Sequence, residues 1–222
     1  MSKEIKQSLG KLYFEYFGEY PDSVTGLPHS GSDRQYYRLS GRQKQAIGVY
    51  NPDEKENNTF LHMTRFFKEE KIPVPAVFNS YPFKNIYLIE DLGDQTLFSI
   101  ITEQLVFPGD EDYLLRLLKD VVRELVRIQI VAGKKFDFNK CYPYKEFSRS
   151  SIIYDLEYFR KEFLERVNIT YNNKLLQSDF KKLTDFIDSA DKDYFMYRDF
   201  QSRNIMVKNN KLYFIDYQGG RK

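Results

Sequence analysis

The spacing of apolar residues changes along the chain and separates a strand-rich first part from a helical second part. Apolar positions recur at helical spacing over residues 5–17 and again over about 54–70, where Pro73 and Pro75 end the pattern. Short runs of apolar and aromatic residues predict β-strands at 35–39, 45–50, 76–79 and 86–89. We therefore expect the order helix, hairpin, helix, hairpin.

Beyond the segment "EDLGD" at 90–94, the apolar patterns become long and helical. In "DYLLRLLKDVVRELVRIQI" they predict one buried helix face, formed by Leu114, Leu117, Leu118, Val121, Leu125 and Ile128. Two further helices are predicted in "SSIIYDLEYFRKEFLERV" and "NNKLLQSDFKKLTDFIDSA", and short strands in "YFMYRD", "NIMVK" and "LYFIDYQ". We expect an α+β fold with two lobes: a small β-rich lobe at 1–89, and a hinge with a helical lobe at 90–222.

Composition indicates a globular protein and narrows the class of partner. The chain has 222 residues, of which 41% are hydrophobic and 30% charged, and its formal net charge is +2. No apolar run has the length of a membrane span, and the N-terminus lacks the pattern of a secretory signal. The charge is too small to predict a nucleic-acid footprint. We expect a cytoplasmic protein without a membrane or nucleic-acid partner, whose single cysteine, Cys141, forms no internal disulfide.

The candidate chemistry lies in the segment "YFMYRDFQSRNIMVKNNKLYFIDYQGG" at 194–220. Asn209 and Asn210 are turn formers between two alternating runs, so a hairpin should return the chain to its starting point. Asp199 and Asn204 lie on the loop that enters that hairpin and Asp216 lies on the strand that leaves it, so these three side chains are expected to converge.

The three residue types suit phosphoryl transfer. A carboxylate at Asp216 and an amide oxygen at Asn204 are hard ligands of the kind that Mg²⁺ prefers. Asp199 could accept the proton of an attacking hydroxyl group, which is the usual division of roles in phosphoryl transfer. The alternative interpretation is that all three are turn residues that cap a hairpin.

Several motifs, taken in order, resemble one enzyme family. They are "GSDRQYYRL", "VYNPDEKEN", "YLIEDLGD", "YRDFQSRN" and "IDYQGGRK". Together they resemble the aminoglycoside phosphotransferase and choline kinase superfamily, which has a protein-kinase-like fold. Within that superfamily the sequence is most similar to the bacterial kinases of anomeric amino sugars, N-acetylmuramate and N-acetylglucosamine.

The resemblance implies ATP and Mg²⁺ as cofactors and assigns a role to each matching position in the helical lobe. Asp199 would be the catalytic base, or would orient the hydroxyl group. Asn204 and Asp216 would bind the metal, and Arg203 or Gln201 would support the phosphates.

In the small lobe the resemblance implies a nucleotide site. The backbone of Gly31, Ser32 and Asp33 would cover the ATP phosphates, and Arg34 would add charge. Glu56 would be the glutamate that pairs with the small-lobe lysine. The hinge that meets adenine would be formed by Glu90, Asp91 and Leu92.

Three features depart from the family pattern. Tyr197 replaces the usual histidine two residues before Asp199. The strand "QAIGVYN" lacks the lysine that clamps the phosphates, a role that Arg34 or Lys44 could take. The family has further helices after the position of Lys222, so the helical lobe is expected to be incomplete.

Three functions remain open on this reading. The first is a small-molecule kinase that transfers the γ-phosphoryl group of ATP to a hydroxyl of a sugar or amino sugar. The second is a kinase of aminoglycosides or choline. The third is a noncatalytic nucleotide-binding module, suggested by the missing lysine.

Overall fold

The computed structural model describes residues 2–28, 33–107 and 109–222, and it confirms an α+β fold with two lobes. The first lobe is an antiparallel sheet with strand order β1-β2-β3-β5-β4. Its elements are α1 (Ser2–Phe17), β1 (Ser23–Gly26), β2 (Gln35–Ser40), β3 (Gln45–Tyr50), α2 (Glu54–Glu69), β4 (Val77–Tyr81) and β5 (Ile86–Glu90). The predicted helices and hairpins are therefore confirmed, and β1 is an additional strand that pairs with β2.

The second lobe is mainly helical and ends in a short hairpin. Its elements are α3 (Leu97–Val106), α4 (Glu111–Lys135), α5 (Arg149–Phe159), α6 (Asn173–Asp188), β6 (Ile205–Lys208) and β7 (Lys211–Phe214). A π-helical turn over Arg160–Glu165 continues α5. The turn residues Asn209 and Asn210 both have positive φ angles, as expected for a tight hairpin between β6 and β7.

Two predictions for this lobe were wrong in detail. The predicted strand in "YFMYRD" is reduced to a single bridge between Met196 and Arg221. On α4, Leu117, Val121 and Ile128 are buried, but Leu118 is 38% exposed. Leu118 is one residue away from Leu117, a rotation of about 100° around the helix, so it leaves the narrow face that packs on the core.

Helix α1 packs on one face of the sheet at a point where only glycine fits. A Cβ atom on Gly48 of β3 would lie 2.7 Å from a methyl carbon of Leu9 in α1 and 2.8 Å from one of Leu39 in β2. Both leucines are fully buried. This close approach holds α1 against the side of the sheet that faces away from the second lobe.

The opposite side of the sheet and α2 share an apolar core with the second lobe. Phe60 of α2 stacks on Tyr217, with ring centroids 5.4 Å apart, and Phe67 packs on both Tyr217 and Phe195. Inside this core the Thr64 Oγ1 and Tyr217 OH atoms are 2.5 Å apart. Because the Thr64 hydroxyl donates to the carbonyl of Phe60, we assign Tyr217 as the donor to Thr64. The bond ties α2 to the segment that follows β7.

Among the helices that the structure describes, none combines the length and the apolar character needed to cross a lipid bilayer.

The Thr64–Tyr217 bond predicts unequal effects of its two single variants. Thr64→Val leaves the Tyr217 hydroxyl buried without an acceptor and should lower the free energy of unfolding by about 1–3 kcal/mol. Tyr217→Phe should cost less, because Thr64 keeps its bond to Phe60. The double variant removes the orphaned hydroxyl, so it should be more stable than the sum of the single effects implies. Urea denaturation of the four proteins measures this coupling, and strictly additive losses would contradict the assignment.

Candidate functional site

A cavity of about 670 Å³ lies between the two lobes. Part of its wall is apolar and comes from both lobes, namely from Leu27, Ile47, Pro75, Ile89, Leu92, Met206 and Ile215. The rest is polar and includes the predicted residues Arg34, Glu56, Glu90, Asp91, Arg203, Asn204 and Asp216. A larger cavity of about 930 Å³ lies beside α1, and none of the predicted site residues that the structure describes lines it.

The hairpin brings Asp199, Asn204 and Asp216 together, as the sequence predicts. Asn204 ends a 3-10 turn, and its carbonyl accepts a hydrogen bond from Ile215 N–H at 3.0 Å across the hairpin. Its side-chain amide donates to the Asp199 carbonyl at 3.0 Å and to Asp216 Oδ2 at 3.3 Å. Because the amide nitrogen is used in this way, the Asn204 Oδ1 atom is the one left to meet a ligand.

The sequence predicted Asp216 on the second strand of the hairpin, but the residue lies just beyond the end of that strand. β7 ends at Phe214, and Asp216 has a φ of 65°, in the left-handed region that aspartate tolerates better than most residues. Gln218 Nε2 donates to Asp216 Oδ1 at 2.8 Å. The carboxylate is 41% exposed, so it is fixed by neighbours and still open to the cavity.

Asp199 does not itself line the cavity, but its carbonyl accepts a hydrogen bond from Asn204, which does. Although its side chain reaches solvent, partial burial raises the pKa of the Asp199 carboxyl, and the Asp216 carboxylate raises it further. The guanidinium groups of Arg198 and Arg221 act in the opposite direction, while Asp155 adds a smaller upward effect. A carboxyl group with a raised pKa is a better proton acceptor when it is ionised.

The loop that carries Asp199 is braced from two sides. Tyr197, which stands where the kinases that the sequence resembles have a histidine, donates its hydroxyl to the carbonyl of Ile215 at 2.6 Å. Arg198 has a φ of 74°, and its guanidinium donates to Asp155 of α5 at 2.8 Å. The substitution of tyrosine therefore retains a polar link between the Asp199 loop and the segment that enters Asp216.

Arg34 lies in the cavity next to both Glu56 and Asp216. Its Nη2 atom is 2.9 Å from Glu56 Oε1, and its Nη1 atom is 3.8 Å from Asp216 Oδ1. Glu56 is itself held by the Asn51 amide at 2.7 Å. Arg34 is 5% exposed, and its Nε–H is buried without a hydrogen-bond partner among the described residues.

Lys44, the other candidate for the missing lysine, lies elsewhere. It follows the turn between β2 and β3, where its ammonium donates to the carbonyl of Phe17 at 3.3 Å and lies over the Phe17 ring. Of the two candidate cations, only Arg34 lines the cavity.

The structure describes only some of the residues that were predicted to contact the phosphates. Gly31 and Ser32 lie outside the described residues, and Asp33 is exposed just before β2. Arg203 lines the cavity, but its guanidinium stacks on the ring of Phe98 in α3, 3.7 Å from the ring centroid.

The predicted hinge lines the cavity, and its acidic side chains are occupied by basic residues from both lobes. Arg38 of β2 donates to Asp91 at 2.7 and 3.1 Å and to Asp94 at 2.8 and 3.1 Å. Lys208 of β6 donates to Glu90 Oε1 at 3.0 Å and to the Asp91 carbonyl at 2.7 Å. The sequence reasoning missed Arg38 and Lys208, because a charge pair between distant segments leaves no periodic signal.

The donor set suits a hard divalent cation that shares its ligands with a substrate. Within the described ranges, no group of three or more His, Cys, Asp or Glu side chains is placed to hold a metal ion. The oxygens available are those of Asp216 and Asn204. This small set fits Mg²⁺, which is commonly bound by one or two carboxylates together with water and phosphate oxygens.

Comparisons with known proteins show similarity in structure and not in sequence. No protein-family model matches the chain, and no curated protein matches it at a significant level. The complex of APH(2")-IIa with streptomycin and ATP superposes with a TM-score of 0.63 at 14% identity, over 100% of this chain and 72% of that chain. Choline kinase LicA from Streptococcus pneumoniae superposes with a TM-score of 0.61 at 18% identity, over 100% and 69% of the two chains.

A third similar structure is the ternary complex of an aminoglycoside phosphotransferase, APH(4)-Ia, with AMP-PNP and hygromycin B. It superposes with a TM-score of 0.57 at 13% identity, over 96% of this chain and 71% of that chain. At these identities the similarity concerns the fold. The chain therefore has the two-lobed protein-kinase-like fold that these aminoglycoside and choline kinases share.

Proposed function

We propose that this protein is an ATP-dependent phosphotransferase that moves the γ-phosphoryl group to a hydroxyl of a small molecule, a sugar or an amino sugar. One observation carries the proposal. Arg34, Glu56, Asn204 and Asp216, which come from four separate parts of the sequence, meet in one cavity that also has an apolar part of its wall. The nucleobase of a nucleoside triphosphate is flat and suits an apolar surface, and its phosphates suit a neighbouring group of charged residues. The cavity offers both.

Adenine would lie in the apolar part of the cavity. Ile47, Ile89 and Met206 supply apolar surface on both sides, and the backbone of the hinge at 90–92 would supply hydrogen bonds. Because Arg38 and Lys208 occupy the acidic side chains of the hinge, those side chains are not the groups that recognise the base.

The phosphates would lie at the polar end, with Arg34 as the clamp. Arg34 takes the role of the missing strand lysine, since it pairs with Glu56 and its buried Nε–H has no hydrogen-bond partner among the described residues. Burial strengthens the attraction between its guanidinium and a phosphate oxygen. The backbone of Gly31, Ser32 and Asp33 would cover the same phosphates, and Arg203 would approach them from the α3 side.

Asn204 and Asp216 would hold Mg²⁺, which neutralises negative charge on the phosphates when it is bound. The remaining groups are positioned by the protein itself. Gln218 and Asn204 fix the Asp216 carboxylate, and the Thr64–Tyr217 bond fixes the segment on which Asp216 lies.

Asp199 would act on the acceptor. The acceptor hydroxyl oxygen attacks the γ-phosphorus, the bond from that phosphorus to the bridging oxygen of ADP breaks, and the hydroxyl proton passes to Asp199. Its raised pKa favours this transfer, because the ionised carboxylate then has a greater affinity for the proton. Tyr197 and Asn204 keep the loop in position.

For the acceptor we propose the anomeric hydroxyl of N-acetylglucosamine or N-acetylmuramate, on the resemblance of the sequence motifs to that group of kinases. The charges around Asp199 agree with a neutral or weakly charged acceptor. Acidic and basic groups are mixed there, with Asp155 and Asp216 opposed by Arg198 and Arg221. A polycationic aminoglycoside would instead call for a predominantly acidic surface.

Substitution of Asp199 tests the reaction. Asp199→Asn should lower phosphoryl transfer by about 100-fold or more, because the amide cannot accept the proton, while the affinity for Mg²⁺-ATP changes little. The measurement is phosphorus NMR of the protein with Mg²⁺-ATP and N-acetylglucosamine, N-acetylmuramate, choline or kanamycin in separate samples.

The control for this experiment is Asp179→Asn, an exposed carboxylate on α6 that is paired with Lys182. It should transfer phosphate at the wild-type rate. Wild-type activity in Asp199→Asn would disprove the role of Asp199, and ATP binding by the wild type without transfer to any acceptor would favour the noncatalytic module.

Arg34 and Lys44 give a second, matched test. Arg34→Met should weaken ATP binding by about 10-fold or more, because a charge-assisted hydrogen bond to phosphate is lost, and should leave adenosine binding nearly unchanged. Lys44→Met should change neither affinity. Isothermal titration calorimetry with both ligands decides between them, and the reverse pattern would place the clamp at Lys44.

A further inference from the structure

Gln218 holds a buried oxygen atom that nothing in the described protein satisfies. The residue is 7% exposed and lines the cavity between the lobes. Its Nε2 atom donates to Asp216 Oδ1 at 2.8 Å, whereas its Oε1 atom is buried and has no hydrogen-bond partner among the described residues. The carboxylate dictates this orientation, because the opposite one would place two acceptor oxygens against each other.

The backbone on either side of Gln218 is closely packed. Tyr217 is fully buried and is bonded to Thr64. A Cβ atom on Gly219 would lie 3.3 Å from Asp199 Oδ2, and one on Gly220 would overlap the ring of Phe195, at 2.2 Å from Cζ. The segment is thus packed between the Asp199 loop and the core, and the unsatisfied oxygen is a fixed feature of the site.

A buried amide oxygen next to a carboxylate has the chemistry of a cation ligand. Buried polar atoms are nearly always satisfied, and an exception at a site calls for a missing partner. No donor among the described residues meets the Gln218 Oε1 atom: Arg34 pairs with Glu56 and leaves its Nε–H unpaired, while Asn204 donates to Asp199 and Asp216. Amide oxygens are hard ligands that suit Mg²⁺ as well as carboxylates do.

We propose that Gln218 is a third protein ligand of the divalent cation, and that its Oε1 atom joins the oxygens of Asn204 and Asp216. This inference rests on the proposed function. Gln218 would then have two roles in one side chain: its amide N–H orients the Asp216 carboxylate, and its oxygen would bind the metal ion. Three residues, Asn204, Asp216 and Gln218, would then supply protein oxygens to the ion.

The test measures how strongly Mg²⁺ enhances ATP binding, by calorimetry with and without the metal. Gln218→Met has nearly the same length but no oxygen, and it should reduce the Mg²⁺ enhancement by about 10-fold while ATP affinity in EDTA stays the same. Gln177→Met is the matched control, because Gln177 of α6 also donates its amide to a carboxylate, that of Glu157, but does not line the cavity, and its enhancement should equal that of the wild type. Thermal melting of each variant verifies that it is folded.

A second variant separates the amide oxygen from the amide nitrogen. Gln218→Glu keeps an oxygen at this position but removes the donor to Asp216, and it should retain the Mg²⁺ enhancement. Loss of the enhancement in both variants would show that the N–H group matters and would overturn the proposal. Wild-type enhancement in Gln218→Met would overturn it as well.

The proposed function can fail independently of this inference. If the wild-type protein bound no ATP, with or without Mg²⁺, the proposed function would be refuted and Gln218 would have no cation to bind. If the wild type bound and transferred phosphate normally and Gln218→Met showed the same Mg²⁺ enhancement, only the role of Gln218 would be refuted.

Discussion

The arrangement of the site depends on one buried cation, the guanidinium of Arg34. A charged group can be buried only where opposite charges or hydrogen-bonding groups surround it, and Arg34 finds these on different elements. Glu56 comes from α2 and Asp216 from the end of the hairpin in the second lobe. Satisfying this one charge therefore requires that the sheet, α2 and the second lobe meet at the same point.

The apolar core that the two lobes share also brings α2 and the second lobe together. Phe60 and Thr64 lie one and two turns after Glu56 on α2, and both contact Tyr217, the residue that follows Asp216. Helix α2 thus carries a carboxylate into the cavity and also packs against the segment that holds the other carboxylate. Packing and charge together fix the distance between the two sides of the site, so the polar cluster is formed by the fold itself.

The sequence predicts most of the fold because its apolar patterns are long and regular. It fails where the signal is short or depends on tertiary contacts. β1 has only four residues, mostly exposed, and Leu118 can be placed on α4 only when the width of the buried face is known. For the site, motif spacing predicts that Asp199, Asn204 and Asp216 converge. It does not predict the unsatisfied oxygen of Gln218, which follows from burial alone.

Arg38 and Lys208 hold the hinge from opposite lobes, and this has a consequence for how the cavity opens. Their bonds to Asp91, Asp94 and Glu90 restrict rotation about the one segment where two lobes would otherwise swing apart. We therefore expect the mouth of the cavity to change little in width when a ligand enters. Less conformational entropy would then be lost on binding, and recognition would not require a large closing motion.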